Sequence, residues 1–158
     1  MRNGVAEIFL EVEPLTGRRH VVITERRTRK DWAAFIKGML DERYPHATKV
    51  RLVMDNLNTH SPGSFYETYE PHIAKALWDR FDFVYTPKHG SWLNMAEIEL
   101  NVLIKQCLDR RIDNIATVKS EVAAWQNERD NMDATINWQF TTADARIKLR
   151  RLYPTLVA

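Results

Sequence analysis

Residues 50–60 read VRLVMDNLNTH, and the fold of the chain can be argued outward from this stretch. Its first half, Val50–Met54, is a short apolar run, which is typical of a strand buried in a sheet. Asp55 follows directly, and Asn58 and His60 keep the continuation polar. In α/β folds the carboxyl ends of buried strands open onto the face that carries the site. Asp and Asn also favour plain turns, because they bond their own backbone, so Asp55 is either a site residue or an ordinary turn residue.

A second segment of the same kind is FVYTPKHGSWLNMAEIEL, residues 83–100. Its first three residues predict a short strand, and the turn that follows leads into a long helix predicted over residues 94–108. Ser91 and Asn94 are both suited to cap that helix. An apolar stripe is predicted along the helix, made of Ala96, Leu100, Leu103, Ile104 and Cys107.

Two carboxylates, Glu97 and Glu99, flank this stripe on opposite sides. Periodicity alone does not choose between them. For each, the ordinary interpretation is a solvated glutamate, favoured near the helix N-terminus by the helix dipole. The alternative is a metal ligand, since paired divalent ions activate nucleophiles in phosphodiester transfer and Mg²⁺ prefers oxygen ligands.

The rest of the chain predicts a hairpin followed by alternating helices and strands. Strands over residues 6–12 and 19–24 form the antiparallel hairpin, and Thr28 with Asp31 resembles a capping box. Further helices are predicted over residues 31–40, 64–81 with a break or restart at Pro71, 117–129 and 142–152. The order predicts a single α/β domain over residues 1–158.

The composition and the missing motifs exclude several classes of protein function. The chain has 158 residues, of which 44% are hydrophobic, and a net charge of +2 that permits a nucleic-acid partner without requiring one. The single cysteine, Cys107, excludes an internal disulfide and fits a reducing cytosol. No apolar run is long enough to span a membrane and no signal peptide begins the sequence, so a soluble intracellular protein is expected. The sequence contains no paired Cys/His spacing, which leaves zinc binding without support. It also contains no glycine-rich phosphate loop and no GxSxG motif, so nucleoside triphosphate hydrolysis and acyl transfer lack support as well.

The two quoted segments, in this order, resemble the second and third acidic motifs of the DDE transposases of bacterial insertion sequences, which are mariner-like DDE superfamily endonucleases. The resemblance covers most of the chain, including residues 2–21 (RNGVAEIFLEVEPLTGRRHV) and 137–154 (NWQFTTADARIKLRRLYP). It implies that Asp55 is the second acidic residue. It also implies that Glu97, the acid after SWLN, is the third, which chooses Glu97 over Glu99.

The fold implied by the resemblance is α/β and ribonuclease H-like, a mixed sheet flanked by helices, without its first strand. In this family the first aspartate precedes the segment that resembles residues 2–21, and the motif context of Glu11 and Glu13 does not match it. The helix-turn-helix region of such transposases is likewise not expected here. The expectation is a C-terminal catalytic-domain fragment, from a truncated gene, the second frame of a split gene or an artificial boundary.

The implied activity is metal-dependent DNA cleavage and strand transfer in DNA transposition. Asp55 and Glu97 are the implied catalytic residues and the ligands of Mg²⁺ or Mn²⁺. The expected partners are transposon-end and target DNA, a second copy of the chain in a homodimer, and an upstream transposase polypeptide that supplies the first Asp, in the bacterial cytoplasm at the nucleoid. The isolated chain is expected to be inactive. The alternatives are a non-catalytic DNA-binding or dimerising remnant and a metal-dependent nuclease unrelated to transposition.

Candidate DNA contacts include residues near these two acids and a basic run at the start of the first helix. Asn94 is expected to position the helix start, and the remaining candidates are Lys88, His89, His60, Arg26, Arg27, Arg29 and Lys30. A second basic run comprises Arg146, Lys148, Arg150 and Arg151. Each basic run is also explained by an ordinary solvated charged face, and binding of DNA phosphates through either would weaken with salt.

Overall fold

The computed structural model describes residues 4–87, 90, 93–148 and 150. The described chain is a mixed α/β structure, as predicted. Its strands are β1 (Glu7–Val12), β2 (Arg19–Thr24), β3 (Val50–Met54) and β4 (Phe81–Tyr85). Its helices are α1 (Arg29–Gly38), α2 (Pro62–Thr68), α3 (Pro71–Asp79), α4 (Met95–Leu103), α5 (Ile115–Asn131) and α6 (Thr142–Lys148). Helices α1 and α4 each continue into a five-residue π-helical turn, Met39–Arg43 and Ile104–Leu108.

The four described strands form two separate two-stranded sheets. β1 and β2 are the predicted antiparallel hairpin, with Phe9 opposite Val22. β3 and β4 are parallel, with Val53 opposite Val84. Parallel pairing requires a crossover between the two strands, and α2 with α3 supplies it.

The helix predicted over residues 64–81 ends two residues earlier than expected. The helix expected over residues 64–81 is two helices, and the second restarts with Pro71 at its first position, where the missing amide hydrogen costs nothing. The second helix ends at Asp79, and Phe81 begins β4, because its backbone pairs with Val50 and its ring is buried. Local periodicity could not show this pairing, since it joins residues about thirty positions apart.

The first core cluster packs α1, α2 and α3 against one side of the strands. Trp32, Ile36 and Leu40 cluster with Phe9 of β1 and Met54 of β3. All five side chains are at most 7% exposed. Both sheets therefore share one hydrophobic core although no described strand joins them.

The second core cluster covers the other side of the hairpin. It consists of Ile23, Leu103, Cys107, Val122 and Trp125, with Ile8 and Leu10 packed against it. Because side chains alternate along a strand, β1 turns Phe9 toward the first cluster and its neighbours toward the second. Helices α4 and α5 thus lie on the side of the hairpin away from α1. No helix in the described part of the chain is long and apolar enough to cross a bilayer.

Candidate acidic site

Asp55 leaves the end of β3 with its carboxylate half exposed. The side chain of Asp55 is 51% exposed, and its Oδ1 lies 2.6 Å from Nδ1 of His60. The backbone oxygen of Asp55 is 3.4 Å from the same nitrogen. The candidate residues Asp55 and His60 are therefore brought into direct contact.

His60 is held in place through its ring and through its backbone. It stacks on Trp32 with ring centroids 5.4 Å apart and planes 24° from parallel. The hydroxyl of Tyr85, at the end of β4, donates to the carbonyl oxygen of His60 at 2.9 Å. In the same loop Thr59 Oγ1 is buried without a hydrogen-bond partner among the described residues. Trp32 and Tyr85 were not identified from the sequence, because their contacts to the loop are tertiary.

Glu97 lies in the first turn of α4. Asn94 caps this helix, since its Oδ1 accepts a hydrogen bond from the backbone N–H of Ala96 at 3.0 Å. Asn94 thereby fixes the helix start, as expected, whereas the alternative cap Ser91 lies outside the described residues. The Glu97 side chain is partly exposed.

Glu99 is not the solvated helix-flank residue that periodicity allowed. Its side chain is 1% exposed, and both of its oxygens accept hydrogen bonds from Arg129, at 2.7 and 3.1 Å. The buried row of the helix is Glu99, Leu103 and Cys107, at a spacing of four residues. Ile104, which the sequence placed on the apolar stripe, lies beside this row and is 42% exposed.

Strand alternation in β3 separates a row of side chains that faces the first core cluster from a row that faces away from it. Met54 belongs to the first core cluster, so Arg51 and Val53 point to the opposite side, where their side chains are exposed. Asp55 continues this row by its position. Helix α4, which carries Glu97, packs on the side of β1 opposite the first cluster.

The basic run at the start of α1 lies close to the Asp55 loop, because α1 also carries Trp32. Trp32, which stacks on His60, is one helical turn beyond Arg29. Arg29 forms an ion pair with Glu67 of α2, and Arg27 lies 3.7 Å from Glu7. The other two members, Arg26 and Lys30, form no ion pair with described residues. Two of the four residues of this run are thus engaged within the protein. Two further predicted DNA contacts, Lys88 and His89, lie outside the described residues.

Glu11 and Glu13, the two acids at the end of β1, interact with Arg43 and Tyr44. Glu11 Oε1 lies 2.5 Å from Arg43 Nε, and burial raises the pKa of Glu11 although Arg43 opposes the shift. The hydroxyl of Tyr44 donates to Glu13 at 3.2 Å, and burial raises the pKa of Tyr44 to about 12. Within the described residues no group of three or more His, Cys, Asp and Glu side chains could hold a metal ion.

The chemistry of Asp55 and Glu97 fits a hard divalent ion, but their number does not complete a site. Both are carboxylates, the ligands that Mg²⁺ prefers beside water and phosphate oxygens. A paired-metal site that acts on phosphodiesters is built from several such groups. Among the described residues these two carboxylates do not by themselves make a complete metal site.

A strand-end carboxylate and a helix-start carboxylate in an α/β domain are the residue types of a candidate metal-dependent phosphodiesterase site. The chain belongs to the DDE superfamily endonucleases, whose family model matches residues 1–119. No curated protein and no solved structure gives a significant match. Endonucleases of this superfamily generally use divalent metal ions and act on DNA.

Proposed function

We propose that this chain is the C-terminal part of the catalytic domain of a transposase that cleaves DNA and transfers strands. Asp55 and Glu97 are two of its acidic residues, and a polypeptide from upstream of this segment supplies the third. The observation that carries the proposal is the exposed Asp55 carboxylate, held by His60 at the end of a core strand in a DDE-family domain.

The choice of Glu97 over Glu99 is supported by the surroundings of the two side chains. Glu99 is buried and bonded by Arg129 through both oxygens. Removing that carboxylate from its partners to bind a metal would leave a buried arginine unpaired, which is strongly unfavourable. Glu97 is partly exposed on the same helix and has no such commitment among the described residues.

The need for a further acid and a further strand is supported by two observations. The described acids near Asp55 do not form a group of three, and Glu11 and Glu13 pair with Arg43 and Tyr44. The four strands share a core yet remain two pairs, so β1 and β3 each bond one neighbour. A strand between them would join the pairs into one ribonuclease H-like mixed sheet and remove two open edges.

In this proposal each residue has a defined task. Asp55 and Glu97 hold divalent metal ions, which when bound activate an attacking water or DNA 3′-hydroxyl and stabilise the leaving oxygen. His60 orients the Asp55 carboxylate. Arg26 and Lys30, with Lys88 and His89, contact DNA phosphates, and Asn94 holds the start of the helix that carries Glu97. Such a protein would act on chromosomal DNA in the bacterial cytoplasm, as a homodimer that holds two transposon ends.

The test combines the chain with the polypeptide encoded directly upstream. We expect nicking of DNA that carries the terminal repeats flanking the gene in Mg²⁺ or Mn²⁺, and no nicking by either part alone. Asp55→Asn and Glu97→Gln are expected to abolish it. The exposed carboxylates Asp82 and Glu121, which pair with arginines away from the site, give the matched controls Asp82→Asn and Glu121→Gln. Nicking that persists in both Asp55→Asn and Glu97→Gln would overturn the proposal.

The count of two acids also favours a second candidate, a DNA-binding or dimerising remnant without catalytic activity. Persistent inactivity of the combined polypeptides, with retained DNA binding, would select it. Cleavage without preference for the terminal repeats would instead select a general metal-dependent nuclease.

A further inference from the structure

A buried ion cluster joins β2, α4 and α5. Arg19 of β2 and Arg129 of α5 both face Glu99 of α4, with Arg19 Nε 2.9 Å and Arg129 Nε 2.7 Å from Glu99 Oε1. The side chains of Arg19 and Glu99 are 0% and 1% exposed. Trp125 lies beneath both guanidinium groups, 5.9 Å from Arg19 and 5.4 Å from Arg129. Asp130 accepts a further bond from Arg19 at 3.2 Å, so two cations face two anions.

The chain after α5 closes over this cluster. Arg19 also donates to the carbonyl oxygen of Ala134. Gly17, in the hairpin turn, has φ 73°, and a Cβ there would lie 3.0 Å from that same carbonyl oxygen. Glycine is therefore required at the turn both for its conformation and for the close approach of residue 134.

Stability alone does not account for such a cluster. Replacing buried ion pairs by apolar side chains of similar volume is often neutral or stabilising. Apolar contacts such as those of Leu103 and Cys107 are non-directional, and they would allow α4 to rotate about its axis. A carboxylate bonded through both oxygens to a planar guanidinium permits one orientation.

The orientation of α4 determines where Glu97 points. Residues 97 and 99 are two positions apart on the helix and so differ by about 200° around its axis. Holding Glu99 between β2 and α5 therefore turns Glu97 toward the opposite side. The Asn94 cap fixes the start of the helix, and the ion cluster fixes its rotation.

We propose that Glu99, Arg19 and Arg129 are positioning residues, which set the rotation of α4 and thereby the direction of the Glu97 carboxylate. The proposal rests on the proposed function only in giving Glu97 a task. Its structural part concerns the helix and is measurable without DNA or metal.

The first test measures the helix directly. In a Cys107→Ala background, nitroxide labels are placed at Arg51→Cys, an exposed site on β3, and at Glu97→Cys. The distribution of distances between the two labels is measured in three proteins. These are the chain with the ion cluster intact, the Glu99→Gln variant, and the charge-free triple variant Arg19→Met/Glu99→Met/Arg129→Met. Rotation of a helix by ~30° moves a side-chain tip at ~6 Å from its axis by ~3 Å. We expect a shift or broadening of that size in both variants.

The matched control is Glu121→Gln, which breaks the exposed ion pair between Arg110 and Glu121 at the other end of the same helix pair. It is expected to leave the distribution unchanged. The triple variant is expected to unfold at nearly the native denaturant concentration, so that a changed distribution in it reports orientation rather than stability. An unchanged distribution in a folded triple variant would overturn the proposal. Failure of both cluster variants to fold would overturn it too, because the cluster would then be needed for folding.

The second test links orientation to the site. With Glu97 intact and the upstream polypeptide present, Mn²⁺ binding is followed by electron paramagnetic resonance, and about a 10-fold or greater loss of affinity is expected in the triple variant. If the combined polypeptides bind no Mn²⁺, or bind it equally in Glu97→Gln, the proposed function fails while the distance measurement still decides the positioning role. If Mn²⁺ binding depends on Glu97 but not on the cluster, the positioning role fails alone.

Discussion

At the scale of single residues, the surroundings of each acid decide what it can do. Asp55 is half exposed, and its Oδ1 contacts His60. Glu99, two residues from the partly exposed Glu97, is buried and bonded by arginine. Glu97 and Glu99 are the same residue type two positions apart, but only Glu97 is accessible to a ligand. A buried carboxylate such as Glu99 needs charged hydrogen-bond partners, which occupy its oxygens.

The contact between His60 and Asp55 leads to the first prediction. His60→Phe keeps an aromatic ring against Trp32 but removes the nitrogen that lies 2.6 Å from Asp55. Loss of a group that orients a ligand typically lowers metal affinity about 10- to 100-fold. We expect a loss of that size for Mn²⁺, measured by electron paramagnetic resonance, with little change in the urea midpoint. His72→Phe, at an exposed histidine of α3, is the control; equal affinity of the two variants would refute the role of His60.

At the scale of elements, the starts of α1, α4 and α5 are defined by side chains close in sequence. Thr28 and Asp31 form the predicted capping box at α1, where each side chain bonds the backbone of the other. Asn114 caps α5 in the same manner as Asn94 caps α4. These contacts span three residues or fewer, so the sequence contains all the groups that make them.

The capping box gives a prediction for stability and its pH dependence. Thr28→Ala is expected to lower the free energy of unfolding by about 1 kcal/mol, because an N-cap acceptor is lost. Hydrogen bonds from the Thr28 side chain and backbone lower the pKa of Asp31. Its contribution is therefore present above the unfolded carboxyl pKa of about 4 and disappears as pH falls through the lower folded value.

Urea unfolding at pH 7 and at pH 3 measures both effects. The difference between the native chain and Asp31→Asn should be present at pH 7 and smaller at pH 3. Thr28→Ser, which keeps the hydroxyl, is the control and should remain near native stability. A constant difference for Asp31→Asn across this range would contradict the assigned cause of the pKa shift.

At the scale of the whole molecule, the hairpin β1–β2 connects two hydrophobic clusters. One packs with α1, α2 and α3, and the other with α4 and α5. Because neighbouring residues of the same two strands enter opposite clusters, neither cluster can lose its packing without exposing the hairpin. We therefore expect residues 1–158 to unfold as one cooperative unit.

A matched pair of substitutions tests this cooperativity. Ile36→Val lies in the first cluster and Ile23→Val in the second, and each is expected to cost about 1 kcal/mol. Urea unfolding is followed by ¹⁹F resonances of fluorinated Trp32 and Trp125, one in each cluster. Either substitution should lower the midpoint recorded at both tryptophans. A substitution that moves only the signal of its own cluster would show two independent units.

Elements and local signals follow from the sequence because their causes are local. Strand β3, the break at Pro71 and the Thr28 cap rest on apolar runs, ring geometry and residues three apart. The motif order around Asp55 and Glu97 likewise lies in the sequence, and it agrees with the family shown for residues 1–119.

Only the tertiary structure decided the partners of those residues. Arg19 meets Asp130 across 111 positions, and Arg129 meets Glu99 across 30. The stacking of His60 on Trp32 and the separation of the strands into two pairs are likewise products of distant contacts. Periodicity reports which face of one helix is apolar, but it does not report what lies against that face. The burial of Glu99 depends on two arginines from other elements, Arg19 and Arg129. The hydrophobic periodicity of α4 carries no information about residues of other elements.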